Sequence, residues 1–199
     1  KFGCPYCRGR IFQTLEEDHG QYNDDFDIFW ASGACMAVSK NSFYEAGGFD
    51  EAFFAHQEEI DFCWRLHTLG YKVKYTAASR VFHMGGATLN DMNPRKTFYN
   101  FRNNLFLLVK NVPAPQIYMV LFTRMILDGI AGLKFIAEGK FSHFTVVLQA
   151  HFSFYRHLGL MLQKRRNIRK SKKYFTVTSV VLAYFIGQKK KFSDLKSSD

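Results

Sequence analysis

Two prolines spaced two apart, Pro113 and Pro115, divide this sequence into parts that cannot fold alike. Proline lacks the N–H that a helix interior needs and pushes the residue before it out of the helical region. An element that ends near residue 112 therefore cannot run on into the next. Ahead of the prolines, short apolar runs alternate with glycine-marked stops. Residues 1–29 are polar and aromatic with little periodicity and read as loop with short elements. Gly33 to Val38 (GACMAV) predicts a short buried strand. Ser39 can cap a helix through Ala46, and Gly47 and Gly48 end it. Glu58 to Leu69 predicts a helix with Phe62, Leu66 and Leu69 on one face and Cys63 at its edge. Tyr71 to Thr76 alternates as a half-buried strand does, and Arg80 to His83 reads as another strand before Gly85-Gly86. Thr97 to Asn111 predicts a helix on Phe98, Phe101, Leu105 and Leu108.

Beyond the prolines the apolar stretches lengthen. Gln116 to Glu138 is apolar but interrupted by Arg124, Asp128 and Lys134. Phe141 to Tyr155 and Tyr174 to Gln188 carry no formal charge, and each is 15 residues long. A bilayer span needs roughly 18–20 apolar residues, so core helices or helices lying in an interface fit better. Lys164 to Lys173 (KRRNIRKSKK) holds seven basic residues and no acid. With a net charge of +10 and 17% aromatic residues, the chain points to an anionic partner. The interleaved aromatics favour a membrane surface. A nucleic-acid binder is the rival from composition, but no nucleic-acid motif supports it and no nucleic acid is expected. Cys4 and Cys7 form a single CxxC with no second pair at zinc spacing. The four cysteines suggest no disulfide framework, which points to a reducing compartment.

Three clusters between Trp30 and Thr88 suit a catalytic cleft. Glu58, Glu59 and Asp61 stand at a helix start, where unpaired N–H groups and the dipole favour negative charge. Successive helical residues diverge by about 100°, so one of Glu58 and Glu59 can face a cleft while the other supports the helix. A carboxylate so placed can take a proton from a hydroxyl. Asp61 and Arg65, spaced i,i+4, also fit a simple ion pair. His83, ahead of a double glycine, can reach a ligand that backbone approaches closely. Gly47-Gly48-Phe49-Asp50-Glu51 offers a tight turn and a carboxylate for sugar hydroxyls, or simply a helix stop. The carboxylates and the imidazole are expected to converge on one pocket.

The order and spacing of these motifs resemble family-two glycosyltransferases, particularly bacterial rhamnosyltransferase-like enzymes, over roughly residues 5–110. The matching residues are Gly33-Ala34-Cys35, Gly47 through Phe54, Glu58-Glu59-Ile60-Asp61 with Arg65, and His83-Met84-Gly85-Gly86. The resemblance implies an α/β fold: the C-terminal, acceptor-side half of a GT-A domain over 1–112, followed by a mainly helical, membrane-associating tail over 113–199. It implies transfer from a nucleotide-sugar to a saccharide or lipid-linked acceptor, with inversion, in cell-surface polysaccharide synthesis. Glu59 would be the base; the family more often has Asp there, which leaves the choice open between Glu58 and Glu59. Asp61 would orient the helix or touch acceptor. His83 would help bind a divalent metal or the diphosphate. Trp30, Gly33 and Ala34 would line the acceptor side, Phe49 and Asp50 would border the sugar pocket, and Arg65, Arg102 and Asn103 would complete the substrate-binding set.

The family's nucleotide-binding half and its DxD metal motif are not found here. Asp25-Phe26-Asp27 has the letters, but lies just before the GAC segment, where the family does not place that motif. Mg²⁺ or Mn²⁺ is therefore expected mainly through an N-terminal half upstream of Lys1, without which the chain would be inactive. The expected location is the cytoplasmic face of the cell membrane. The alternative is a noncatalytic membrane-interaction module, which would leave the acidic helix and the histidine–glycine turn unexplained.

Overall fold

The computed structural model describes residues 1–83, 93–166 and 174–195, and the architecture is mixed α/β with helix predominant. The hairpin β1 (Arg10–Ile11) and β2 (Thr14–Leu15) pairs Arg10 with Leu15. A second antiparallel pair joins β3 (Phe26–Ile28) to β4 (Val73–Tyr75), with Asp27 opposite Lys74. The helices are α1 (Lys40–Glu45), α2 (Glu58–Thr68), α3 (Pro94–Asn111), α4 (Gln116–Ala137), α5 (Phe141–Arg166) and α6 (Val180–Phe185).

Local chemistry accounts for the helix limits. Ser39 Oγ accepts from Ser42 N–H at 3.1 Å and starts α1. Gly47 (φ +79°) and Gly48 (φ +64°) end it in the left-handed region. α3 begins three residues earlier than its apolar spacing predicts. Pro94 is tolerated in the first turn, and Asn93 caps it by accepting from Arg95 N–H at 2.9 Å. Ser179 caps α6 through Leu182 N–H, so only the centre of the expected 174–188 stretch is helical.

Two expected strands are not formed. Gly33 to Val38 is mostly exposed loop, beginning with a turn in which Cys35 N–H donates to Ser32 O. A strand needs a neighbour for its N–H and C=O groups, and among the described residues none runs alongside. Arg80 to His83 is likewise irregular and exposed, with the Phe82 ring wholly in solvent. β4 closes at Tyr75, and Thr76 Oγ1 turns the chain by accepting from Ala78 N–H. Leu69, expected on the buried face of α2, is 39% exposed.

The main core lies where α3 packs along α5, with α4 against both. Leu105, Phe106, Leu108, Val109 and Val112 meet Val120, Phe154 and Met161, and Phe53, Ile60 and Trp64 extend the cluster towards α2. The largest apolar core thus draws on both sides of Pro113. A smaller cluster of Ala46, Phe62, Cys63 and Leu66 sits under the α1 turn.

A buried polar network joins these parts. Asp61, fully buried, accepts at Oδ2 from Arg65 Nε (2.9 Å) and Lys110 Nζ (2.7 Å), and at Oδ1 from Asn111 Nδ2 (2.8 Å). Lys110 also donates to Asp50 Oδ2 at 2.7 Å, and Lys164 of α5 donates to Asp50 Oδ1. Burial opposes ionisation of Asp50, but the two lysines prevail and hold its pKa at about 2, against an ordinary 3.8.

Two outcomes follow for stability. A depressed carboxyl pKa adds stability that is fully present above about pH 4 and is lost as pH falls towards 2. Asp50 therefore contributes about 2 kcal/mol at neutral pH, which Asp50→Asn abolishes in acid-denaturation curves. Asp61→Asn leaves Lys110 and Arg65 buried without their shared anion, so chemical denaturation at pH 7 registers a loss of about 3–5 kcal/mol.

Candidate functional site

The segment leading into α2 is built against its own backbone preferences. Phe54 (φ 63°), His56 (φ 67°) and Gln57 (φ 72°) all lie in the left-handed region, where side-chain-bearing residues are uncommon. Such geometry persists only when its surroundings over-determine it. α3 supplies that constraint. Asn103, with no exposed surface, directs its amide at three carbonyls: Phe53 O (2.9 Å), Ala55 O (2.7 Å) and His56 O (2.7 Å). Arg102 donates to Ala52 O and Phe53 O and to Asn103 Oδ1. Gln57 Nε2 donates to Asn100 O at 3.1 Å, and the Phe54 ring stacks on Tyr99.

The loop delivers four consecutive side chains to the helix start, each with a buried polar atom that has no hydrogen-bond partner among the described residues: His56 Nε2, Gln57 Oε1, Glu58 Oε2 and Glu59 Oε2. Buried polar atoms are nearly always satisfied, so four in succession are unusual; single atoms elsewhere, such as Trp64 Nε1 and the Tyr174 hydroxyl, share the condition. Gln57 occupies the cap position but makes no side-chain cap, which leaves the first N–H groups of α2 uncapped by it. Burial pushes the Glu59 carboxyl above the ordinary carboxylate range, partly offset by its own backbone N–H, and the Glu58 charge adds to the rise. Burial, then the nearby Lys96 charge, lowers the His56 pKa, and the Glu58 charge partly offsets this, so the neutral ring is favoured. The helix start thus carries a carboxylate of raised basicity, suited to accepting a hydroxyl proton, three residues after the imidazole of His56.

A cavity of about 1050 Å³ is walled by Ile28, Trp30, Met36, Trp64 and Tyr174 among others; the expected convergence of the acids and His83 on one pocket is not seen there, because Glu58, Glu59, Asp61 and His83 do not line it, and neither do His56 and Gln57. Cys7 and Cys63 line the cavity, and burial pushes the Cys63 thiol above its ordinary range.

The remaining expected residues fall in distinct places. Trp30 lines the cavity and packs against both apolar clusters. Gly33 and Ala34 are exposed and do not line it. Phe49 packs its ring on Phe43 and Phe62 at the surface. Asp50 and Asp61 turn into the interior, where lysines, Arg65 and Asn111 occupy their oxygens. Arg65 holds the glycine turn through Ala46 O and Gly48 O. Arg102 and Asn103 are the loop's clamp. His83 is exposed and makes no hydrogen bond or ion pair with Glu58 or Glu59, while Gly85 and Gly86 lie outside the described residues. The imidazole brought to the acids is His56, whose charge environment includes Glu58. Sequence reasoning passed over His56 and Gln57; their position directly before the acidic pair was the available signal.

The described residues do not by themselves fit a divalent metal, because no three His, Cys, Asp or Glu side chains among them are grouped to hold one. Asp27 of the Asp25-Phe26-Asp27 segment lies in β3 and pairs with Lys72 at 3.1 Å.

Glu59 also gives a stability test. Its raised pKa means that the folded chain binds this proton more tightly than the unfolded one, so the ionised form costs stability above that range. Glu59→Gln raises the denaturation midpoint at pH 7. The difference from wild type narrows as pH falls below the ordinary 4.5 of a glutamate.

No protein-family model matches the chain, and no solved structure does. Curated relatives match over short segments. An N-acetylglucosaminyl-diphospho-decaprenol L-rhamnosyltransferase of Mycobacterium tuberculosis is 37% identical over 56 residues, 28% of this chain and 18% of that protein. Rhamnosyltransferase WbbL of Escherichia coli is 34% identical over 59 residues, 30% and 22% of the two chains. A galactofuranosyl glycosyltransferase of Leishmania donovani is 29% identical over 98 residues, 47% and 23%. The chain spans less than a quarter of the length of each, and what these relatives have in common is glycosyl transfer.

Proposed function

We propose that this chain is the acceptor-side, C-terminal portion of an inverting family-two glycosyltransferase of GT-A fold, working in bacterial cell-surface polysaccharide synthesis. The observation that carries the reading is the run His56 to Glu59, four buried polar atoms without partners at a helix start. Glu59 is the general base. The acceptor hydroxyl donates its proton to the Glu59 carboxylate as its oxygen attacks the anomeric carbon. The bond from that carbon to the diphosphate breaks, the nucleoside diphosphate leaves with the electron pair, and the configuration inverts. His56 orients a substrate hydroxyl through Nε2. Glu58, whose charge adds to the burial that raises the Glu59 pKa, supports the base.

The nucleotide-sugar and Mg²⁺ or Mn²⁺ are held mainly by a nucleotide-binding half, and transfer needs both halves. The mycobacterial relative, an N-acetylglucosaminyl-diphospho-decaprenol L-rhamnosyltransferase, supports a lipid-linked acceptor. That acceptor places the protein peripherally at the cytoplasmic face of an anionic membrane. No helix among the described residues is long and apolar enough to cross one. A noncatalytic membrane module accounts for the tail but not for the unpartnered run.

In the full-length parent, Glu59→Gln lowers the rate of sugar transfer by about 10²–10⁴, the usual value of general-base help. Glu58→Gln lowers it less. Near-normal turnover of the Glu59→Gln protein, measured by product formation, removes Glu59 as the base.

A further inference from the structure

α4 is apolar on both sides: Ile117 and Val120 enter the core, yet its outer face is apolar too. Its inward face carries Asp128, fully buried, which accepts from Arg124 Nε at 2.7 Å and meets His151 Nε2 of α5 at 3.1 Å. Its outward face carries Tyr118, Phe122, Ile126, Ile130 and Leu133, all at least half exposed. Their spacing of three and four residues sets them in one stripe along the helix. The outer face of a water-facing helix is polar.

α5 continues the apolar surface. Leu148, Phe152 and Tyr155 are exposed and share a stripe at spacings of four and three. The two stripes adjoin, because the Tyr155 hydroxyl meets Met125 Sδ across the seam at 3.7 Å. At the other end of the seam Gly132 admits the Phe144 ring, which an added Cβ would meet at 3.3 Å. α6 lengthens the patch there: Lys134 Nζ lies over the Phe185 ring at 6.0 Å, and Leu182, Phe185 and Ile186 are exposed.

Charge selects the occupant. Residues 113–199 contain 15 Lys and Arg against four acids, a formal charge of +11, while residues 1–112 sum to −1. Of the two acids on or between α4 and α5, Asp128 is buried, and Glu138 is paired with Lys134 and Lys140. Arg156 is exposed beside Tyr155. An apolar face bordered by cations, with aromatic rings at its edge, matches the boundary between anionic headgroups and acyl chains.

We infer that the joint outer face of α4 and α5, extended by α6, lies flat on an anionic lipid surface, with Phe122, Ile126, Ile130 and Phe152 entering the headgroup–acyl boundary. This deepens the membrane placement proposed above and rests on it; it names the face and the orientation, with both helix axes parallel to the surface. Its anchor is this apolar face, with the cations as its border.

The test is flotation of the full-length protein with vesicles of phosphatidylcholine containing 30% phosphatidylglycerol, set beside phosphatidylcholine alone. Wild type floats with the anionic vesicles and at least ten-fold less with the neutral ones. Ile126→Glu with Phe152→Glu reduces anionic binding at least ten-fold, Ile126→Ser with Phe152→Ser reduces it in the same direction, and Tyr44→Glu on α1 leaves it unchanged. Circular dichroism confirms that each variant is folded, as expected for exposed positions. Equal binding by wild type and both double variants overturns the face while leaving membrane placement standing. Absence of wild-type binding overturns both. A wild-type dimer in light scattering that both double variants split, without vesicle binding, assigns the face to a second copy and also overturns the inference. The Glu59→Gln transfer assay reads the chemistry separately, so failure of one leaves the other measurable.

Discussion

The buried carboxylate of Asp61 is the point on which the rest of this structure depends. It takes Arg65 from its own helix and Lys110 and Asn111 from α3. Lys110 passes the connection to Asp50, and Lys164 of α5 completes it. A charge taken so far from water is tolerable only when its lone pairs are filled. Filling them fixes the rotation of α2 about its axis. With Asp61 turned inward, the first turn of the same helix can present Glu58 and Glu59 elsewhere, because successive residues diverge by about 100°.

The site loop illustrates a division of labour between α2 and α3. α2 carries the acids, and α3 holds the backbone that leads to them. Three left-handed residues in four positions would relax if released, and the Asn103 amide, with Arg102 beside it, prevents this. Orphaned polar atoms and backbone strain therefore occur together, as expected where geometry is kept for a ligand and not for stability.

Much of this was legible in the sequence, for reasons that differ by residue. Ser39, Gly47-Gly48 and the spacing of Phe62, Cys63 and Leu66 act locally, so α1 and α2 appear close to where the pattern puts them. The Asp61–Arg65 pair is an i,i+4 relation and was equally readable. Gly33 to Val38 was not, because an apolar run becomes a strand only when another strand lies beside it, and sequence pattern is silent about neighbours. His56 was overlooked because its importance comes from a positive φ imposed by Asn103, 47 residues away. A separation of 60 residues likewise hid the pairing of Lys110, read only as part of an amphipathic helix, with Asp50, and the inward turn of Asp50 with it.

The last turn of α5 has a bearing on how the protein can be divided. Arg165 donates to Val109 O and Val112 O, closing the carboxyl end of α3, while its neighbour Lys164 neutralises Asp50. A chain cut just after the motif-rich region would keep every recognisable signature. It would also leave the end of α3 uncapped, and Asp50 with one lysine fewer. The smallest piece able to keep the acidic helix in place therefore extends past residue 165, well beyond the last familiar motif.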